Sequence, residues 1–177
     1  FLRFAGVEKL TADRPAPLPR QNELHLFTLA PGQALPLGPA PAGLTLDRNP
    51  PVGAIAALAF PGEENAARRD AFYSETCTAG AHGFARLWAL TGADGGLVSM
   101  VGAYAMVDGE AYLATGETVP ERRGCGIGGW LIASAANALA AEGWRVTLLC
   151  EENRRRFYTR LGFAPAGAYP RYRLDPP

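Results

Sequence analysis

The chemistry-bearing residues of this chain concentrate in the stretch Val119–Leu131, VPERRGCGIGGWL. Arg122 and Arg123 run directly into Gly124, Gly126, Gly128 and Gly129, and an apolar segment follows at once. Glycine lacks a Cβ, so such a backbone can turn tightly and approach a ligand closely. If the apolar segment is a helix, its first N–H groups have no intrahelical acceptor, and the helix dipole favours a negative charge there. Two arginines at the mouth add to that field. The chemistry predicted is capture of a phosphate or pyrophosphate. A plain glycine turn with two solvated arginines is the simpler reading. The order strand, loop, helix around the glycines favours the anion site.

Gly124, Gly126 and Gly129 also fit a dinucleotide fingerprint, with Glu151 or Glu152 where a ribose-binding acid would stand. Two features oppose that reading. Pro120, Glu121, Arg122 and Arg123 separate the strand end from the first glycine. Only about 50 residues follow Gly124, against roughly 30 for each further βαβ unit that a dinucleotide fold requires. A P-loop is excluded because no Gly-Lys-Ser/Thr follows.

The elements that must position this loop can be read from texture. The chain has 177 residues, 48% hydrophobic and 19% charged, with 17 basic and 17 acidic side chains. This suits a globular protein of one domain, or one domain with an appendage, and opposes general nucleic-acid or membrane-surface binding. No apolar run is long enough to span a bilayer. Three widely spaced cysteines, Cys77, Cys125 and Cys150, suggest neither a disulfide framework nor a metal site, so a cytoplasmic setting is expected.

Residues 1–43 are proline-rich and read as an extension or the end of an upstream domain, with LHLFTLA as one strand within them. Residues 44–177 form the expected main domain. It opens with a short strand in GLTLD. A helix through VGAIAALAF follows, capped by Asn49 and begun by Pro50 and Pro51. A second helix reads from Glu64 to Gly80, with Ala66, Ala67, Phe72 and Tyr73 as its inner face. FARLWAL, GLVSMVGAYAMV and EAYLATGETV read as an antiparallel meander with tight turns between them. A long helix ends at Gly143, then come a strand WRVTLLCE, a short helix NRRRFYTRLG and a last edge strand RYRL.

Two of these segments resemble the motifs of the GCN5-related N-acetyltransferase (GNAT) family. TVPERRGCGIGGWLI looks like its acyl-CoA-binding motif, Gln/Arg-x-x-Gly-x-Gly/Ala, met here by Arg123, Gly126 and Gly128. RRFYTRLGF resembles the family's helix bearing Tyr followed by Leu-Gly-Phe. The resemblance covers roughly Leu44–Leu174. It implies an α+β acyl-CoA N-acyltransferase fold, with a mixed, mostly antiparallel sheet flanked by helices and one β-α-β crossover carrying the pyrophosphate loop.

The resemblance further implies acetyl-CoA as co-substrate, no metal, and a small-molecule or peptide amine as acceptor. Arg123, Gly124, Cys125, Gly126, Ile127, Gly128 and Gly129 would hold the pyrophosphate. Thr118 and Val119 would pair with the pantetheine arm, in a slot opened where their strand diverges from WRVTLLCE. Tyr158 would protonate the leaving thiolate. Some relatives carry a glutamate base near the position of Tyr112; Glu117 is the nearest carboxylate here and is the candidate base. An asparagine often follows the fifth strand of the family; Glu151 occupies that position, with Asn153 two residues late. A CoA-binding module without catalysis is the alternative, and a homodimer is left open. His25 and His82 are isolated in the sequence, Cys125 reads as turn filler, and Arg154–Arg156 read as a solvated helix face.

Overall fold

The computed structural model describes residues 9–12 and 14–173. Its strands are β1 (Lys9–Thr11), β2 (Arg20–Leu29), β3 (Thr45–Asp47), β4 (Arg86–Thr91), β5 (Leu97–Val107), β6 (Glu110–Thr118), β7 (Arg145–Glu151) and β8 (Ala164–Arg173). Its helices are α1 (Val52–Ala59), α2 (Ala66–Ala81), α3 (Ile127–Ala141) and α4 (Arg155–Leu161). The chain forms two compact units. One comprises the described residues up to Thr28 with those from Leu148 onward; the other is Leu29–Thr147.

In the unit Leu29–Thr147 the expected meander is present. β4 pairs antiparallel with β5, as at Ala89↔Met100, and β5 with β6, as at Met106↔Ala111. Asp108 and Gly109, at φ 50° and 78°, make the two-residue turn between β5 and β6. Left-handed φ at both positions matches the twist of a tight hairpin, which is what an Asp-Gly pair supplies. β3 extends the sheet beyond β4, with Leu46↔Leu90. β7 joins the other side of β6 in parallel, with Ala111↔Val146, and the register ends at Tyr112↔Thr147. The crossover between β6 and β7 carries α3.

Helices cover both faces of this sheet. Ile55 of α1 packs with Leu87, Ala89 and Met100, and Phe72 and Tyr104 close over that cluster. On the other face α3 buries Ile127, Leu131, Ile132, Ala135, Ala136 and Leu139. Its many alanines let it lie close, and a Cβ on Gly116 of β6 would stand 3.5 Å from Ile132 Cδ1.

Register shifts mark β5–β6 between Met100 and Gly102 and again between Ala103 and Ala105. Thr115 lies at the first, with φ 53°, and Tyr104 at the second. The Tyr104 ring folds over the bare Cα of Gly102 and meets Phe72 edge-on at 5.5 Å. Burial raises the Tyr104 pKa strongly, against a smaller lowering by the Thr115 side chain, yet among the described residues its hydroxyl has no partner in hydrogen-bond geometry.

Several expectations are corrected here. Asn49 does not cap α1: its N–H goes to Asp47 Oδ1 at 2.9 Å, Pro51 is the N-cap, and its carbonyl receives the N–H of Ala54. Tyr73 and Ala67 face outward on α2, Tyr73 being 50% exposed; Phe72 supplies the inner contact. Arg171–Arg173 of the expected RYRL are the end of a longer strand, β8, and that strand is internal because β1 and β2 both pair with it. Leu174 lies outside the described residues.

In the unit built from both chain ends, β8 pairs antiparallel with β2, as at Leu24↔Tyr169, and with β1, as at Leu10↔Tyr172. Pro165 and Pro170 lack N–H groups, which disguises the strand in the sequence. β1 spans β8 only from Arg171 to Arg173, and the Pro170 carbonyl still accepts from Ala12 N–H at 3.2 Å. Phe27 and Phe163 are buried here and flank Tyr158 of α4.

Gly102→Ala is expected to lower stability by about 1–3 kcal/mol, the range for overpacking a well-filled site, because the new methyl must displace a ring already held by Phe72. Urea unfolding checks this; a midpoint equal to the wild type shows that the Tyr104 ring moves freely.

Candidate functional site

The loop between β6 and α3 is the centre of the candidate site. β6 ends at Thr118, and Val119 gives its N–H to Val98 O at 2.9 Å. A 3-10 turn over Pro120–Arg122 follows, in which the Arg123 N–H reaches Pro120 O at 3.2 Å. Gly124 and Gly126 both stand at φ 77°, and Gly126 is the N-cap of α3. The first intrahelical bond runs from Trp130 N–H to Gly126 O at 3.0 Å. Among the described residues, no N–H from Gly124 to Gly129 has a backbone partner in a turn or cap. A Cβ placed on Gly124 or Gly126 would meet nothing within 4 Å, so the space above the loop is open.

The glycines do different work. Gly124 and Gly126 are required by left-handed backbone, which costs an ordinary residue about 1–2 kcal/mol. Gly128 is required by packing: a Cβ there would come within 2.9 Å of Thr118 Oγ1. Thr118 Oγ1 is in turn 2.9 Å from Ser99 Oγ, and Ser99 also donates to Glu117 O at 2.9 Å. Ser99 is fully buried, so this hydroxyl pair is the polar seam between β5, β6 and the first turn of α3.

Arg123 folds back along the strand. Its Nε donates to Thr118 O at 2.9 Å, and its Nη2 lies 3.6 Å from Glu117 Oε2. Both side chains are about half exposed, so the ion pair itself contributes little to stability. Glu117 pairs with Met100 across β5–β6 and therefore shares the sheet face covered by α1 and α2. Thr118 shares the opposite face with Ser99 and α3. Tyr112 is half-buried, and burial pushes its phenol above the usual range.

Tyr158 lies in the other unit. Its ring centroid is 5.9 Å from Phe27, 5.0 Å from Phe157 and 6.0 Å from Phe163. A second feature of that unit is an open cavity of about 600 Å³ lined by Arg20, Asn22, His25, Glu151, Glu152 and Asn153, among others. His25 Nε2 stands 2.7 Å from Glu152 Oε2, and Arg171 pairs with Glu151 at 3.1 Å. The sequence showed His25 as isolated, because the carboxylate it meets comes from the far end of the chain and no local spacing records that pairing. His82 stacks on Phe84 at 6.2 Å. Among the described residues no group of three His, Cys, Asp or Glu is placed to hold a metal, and no helix is long and apolar enough to cross a membrane.

The acetyltransferase (GNAT) domain model matches residues 81–165, a span containing both sequence motifs. No curated protein matches the sequence. Among solved structures, a GCN5-related N-acetyltransferase from Kribbella flavida superposes with a TM-score of 0.64 at 21% identity, over 98% of this chain and 62% of that one. A GNAT-family acetyltransferase structure from Novosphingobium aromaticivorans gives 0.62 at 20%, over 93% of this chain and 71% of that one. An acetyltransferase structure from Clostridium acetobutylicum with acetyl-CoA gives 0.58 at 13%, over 70% and 91%. The α+β fold of this family is thereby established for the chain, which spans less than two thirds of the Kribbella protein's length.

The three cysteines differ in exposure. Cys125 sits exposed in the loop; Cys77 is intermediate; Cys150 is buried, and burial raises its pKa, offset in part by Arg155. Brief treatment with iodoacetamide at neutral pH is therefore expected to label Cys125 first and Cys150 last. Peptide mass spectrometry reads the order, and early labelling of Cys150 contradicts its burial.

Proposed function

We propose that this chain, which matches a GNAT acetyltransferase domain across residues 81–165, moves an acetyl group from acetyl-CoA to a primary amine. The observation that carries the reading is the loop Gly124–Gly129: two left-handed glycines, open space above them, and N–H groups without loop partners leading into α3. That arrangement suits a pyrophosphate, held by backbone N–H groups of Gly124, Cys125, Gly126, Ile127, Gly128 and Gly129 at the positive end of the helix dipole. The N–H of Arg123 is already given to Pro120, so Arg123 contributes its guanidinium. Thr118 and Val119 carbonyls accept from Arg123 and Arg122, and a carbonyl with two lone pairs retains one acceptor position for the pantetheine amides. The acetyl-CoA in the Clostridium acetobutylicum structure supports the choice of donor.

In the reaction a neutral amine attacks the thioester carbonyl, the C–S bond breaks, and the thiolate takes a proton. Tyr158 is the proposed donor of that proton, since a phenol is protonated at neutral pH. The proton lost by the amine passes to Glu117 directly or through water. No nucleophile of the protein is required. The acceptor is a small-molecule or peptide amine. A donor-binding module without turnover is the second reading. It is favoured by Tyr112 at the position where some relatives carry an acid and by the engagement of Glu117 with Arg123.

Calorimetry is expected to show binding of acetyl-CoA and none of NAD, and a panel of amines is expected to release free thiol from acetyl-CoA. Binding of NAD with silent acetyl-CoA overturns the assignment; binding of acetyl-CoA without thiol release from any amine selects the second reading.

Tyr158→Phe keeps the ring and its contacts with Phe27 and Phe163. If the hydroxyl is the general acid, kcat should fall roughly 10²–10⁴-fold with acetyl-CoA affinity nearly unchanged. Steady-state kinetics beside a melting curve decides it, and an unchanged kcat in a folded variant removes Tyr158 from the chemistry.

A further inference from the structure

The proline-rich stretch between β2 and β3 lies outside both sequence motifs, yet it makes a definite set of hydrogen bonds. It runs along α3 in the opposite direction. Gly32 donates its N–H to Ala140 O at 2.8 Å, near the last turn of the helix. Leu35, which is buried, donates its N–H to Asn137 Oδ1 at 2.7 Å and accepts from Asn137 Nδ2 at 3.0 Å. Gly38 O accepts from the Trp130 indole N–H at 3.0 Å, in the first turn. Pro31, Pro36, Pro39 and Pro41 have no N–H to offer, so the segment is fastened through its few remaining backbone groups, which meet the Ala140 carbonyl and the Asn137 and Trp130 side chains.

The last of these contacts touches the anion loop. Trp130 gives its backbone N–H to Gly126 O, the carbonyl at the loop's end, and its indole N–H to the strap. On the strand side the loop is tied by Arg123 to Thr118 O. Between these two ties stand Gly124 and Gly126, residues whose freedom must be given up when an anion is bound. A loop already fixed at both ends gives up less.

We propose that the strap Gly32–Gly38 is a brace that preorganises the loop Gly124–Gly129 for its pyrophosphate, with Trp130 and Asn137 as positioning residues. This rests on the donor-binding reading above. The brace acts on ground-state and transition-state binding of the donor alike, because the pyrophosphate does not change during acetyl transfer. Its loss must appear in donor KM and leave kcat in place.

The experiment compares Trp130→Phe, Asn137→Ala and the double variant, each by calorimetry with acetyl-CoA, by steady-state kinetics and by melting. Trp130→Phe removes one hydrogen bond and Asn137→Ala two; each single change is expected to raise Kd and KM for acetyl-CoA about two- to tenfold, with kcat at saturating donor within about twofold of wild type. The double variant is expected to be no worse than the weaker-binding single, since either change releases the same strap. Three results overturn the brace: an unchanged Kd in folded variants, with or without a lower melting temperature; effects that multiply in the double variant; or a fall in kcat with KM unmoved. A wild type that binds no acetyl-CoA overturns the proposed function and the brace together, and is thereby distinguished from a wild type that binds and variants that match it.

Discussion

The hydroxyl contact between Ser99 and Thr118, with Gly128 pressed against it, is the constraint on which the site depends. Two β-strands and a helix meet there at separations no larger side chain allows. Because α3 sits that close to the end of β6, its unpaired first-turn N–H groups emerge beside the strand terminus. Because Ser99 is buried and both hydroxyls are satisfied, the seam is polar at no cost in lost hydrogen bonds. The loop can then be made of glycine without being loose: its two ends are set by packing and by Arg123, and its middle is left bare.

The irregularities of β5 and β6 decide which residue faces which helix layer. A strand slipped by one residue presents every side chain to the wrong side. The register shift at Thr115 brings Glu117 opposite Met100 and Thr118 opposite Ser99. The carboxylate thereby faces the layer of α1 and α2, and the hydroxyl faces α3. The shift at Tyr104 does similar work with an aromatic ring, which occupies the volume that Gly102 leaves empty. Strain at a non-glycine residue of left-handed φ, here Thr115, is tolerated where the surrounding sheet over-determines the backbone.

Much of this was legible in the residue order. The Asp-Gly turn at 108–109, the meander, the glycine loop and α3 all announce themselves through local chemistry, and local chemistry formed them. What escaped notice depended on partners distant in sequence. β8 carries prolines at 165 and 170 and reads as a strand only when β2 lies beside it. His25 acquires a partner from Glu152, and the proline strap acquires its conformation from Asn137 and Trp130. Tyr73 fits the periodicity of an inner face, but Phe72, one position away, took the packing against Phe60 and Tyr104. The different tasks of Gly126 and Gly128 were also hidden, since a dihedral requirement and a steric one leave the same letter.

The pairing of β2 with β8 sets an order of events during synthesis. β2 is complete once Leu29 has been made, but its partner is not finished until Arg173. Throughout translation of the intervening segment, the ladder hydrogen bonds that β2 will make to β8 remain unmade, with residues such as Leu24 and Phe27 deprived of part of their final cover. Closing so long a loop costs entropy that only late contacts return. The meander and α3, whose contacts are nearer in sequence, can consolidate first. A chain still lacking residues 164–173 would therefore carry the meander and α3 while β2 stood without the β8 partner that completes its ladder.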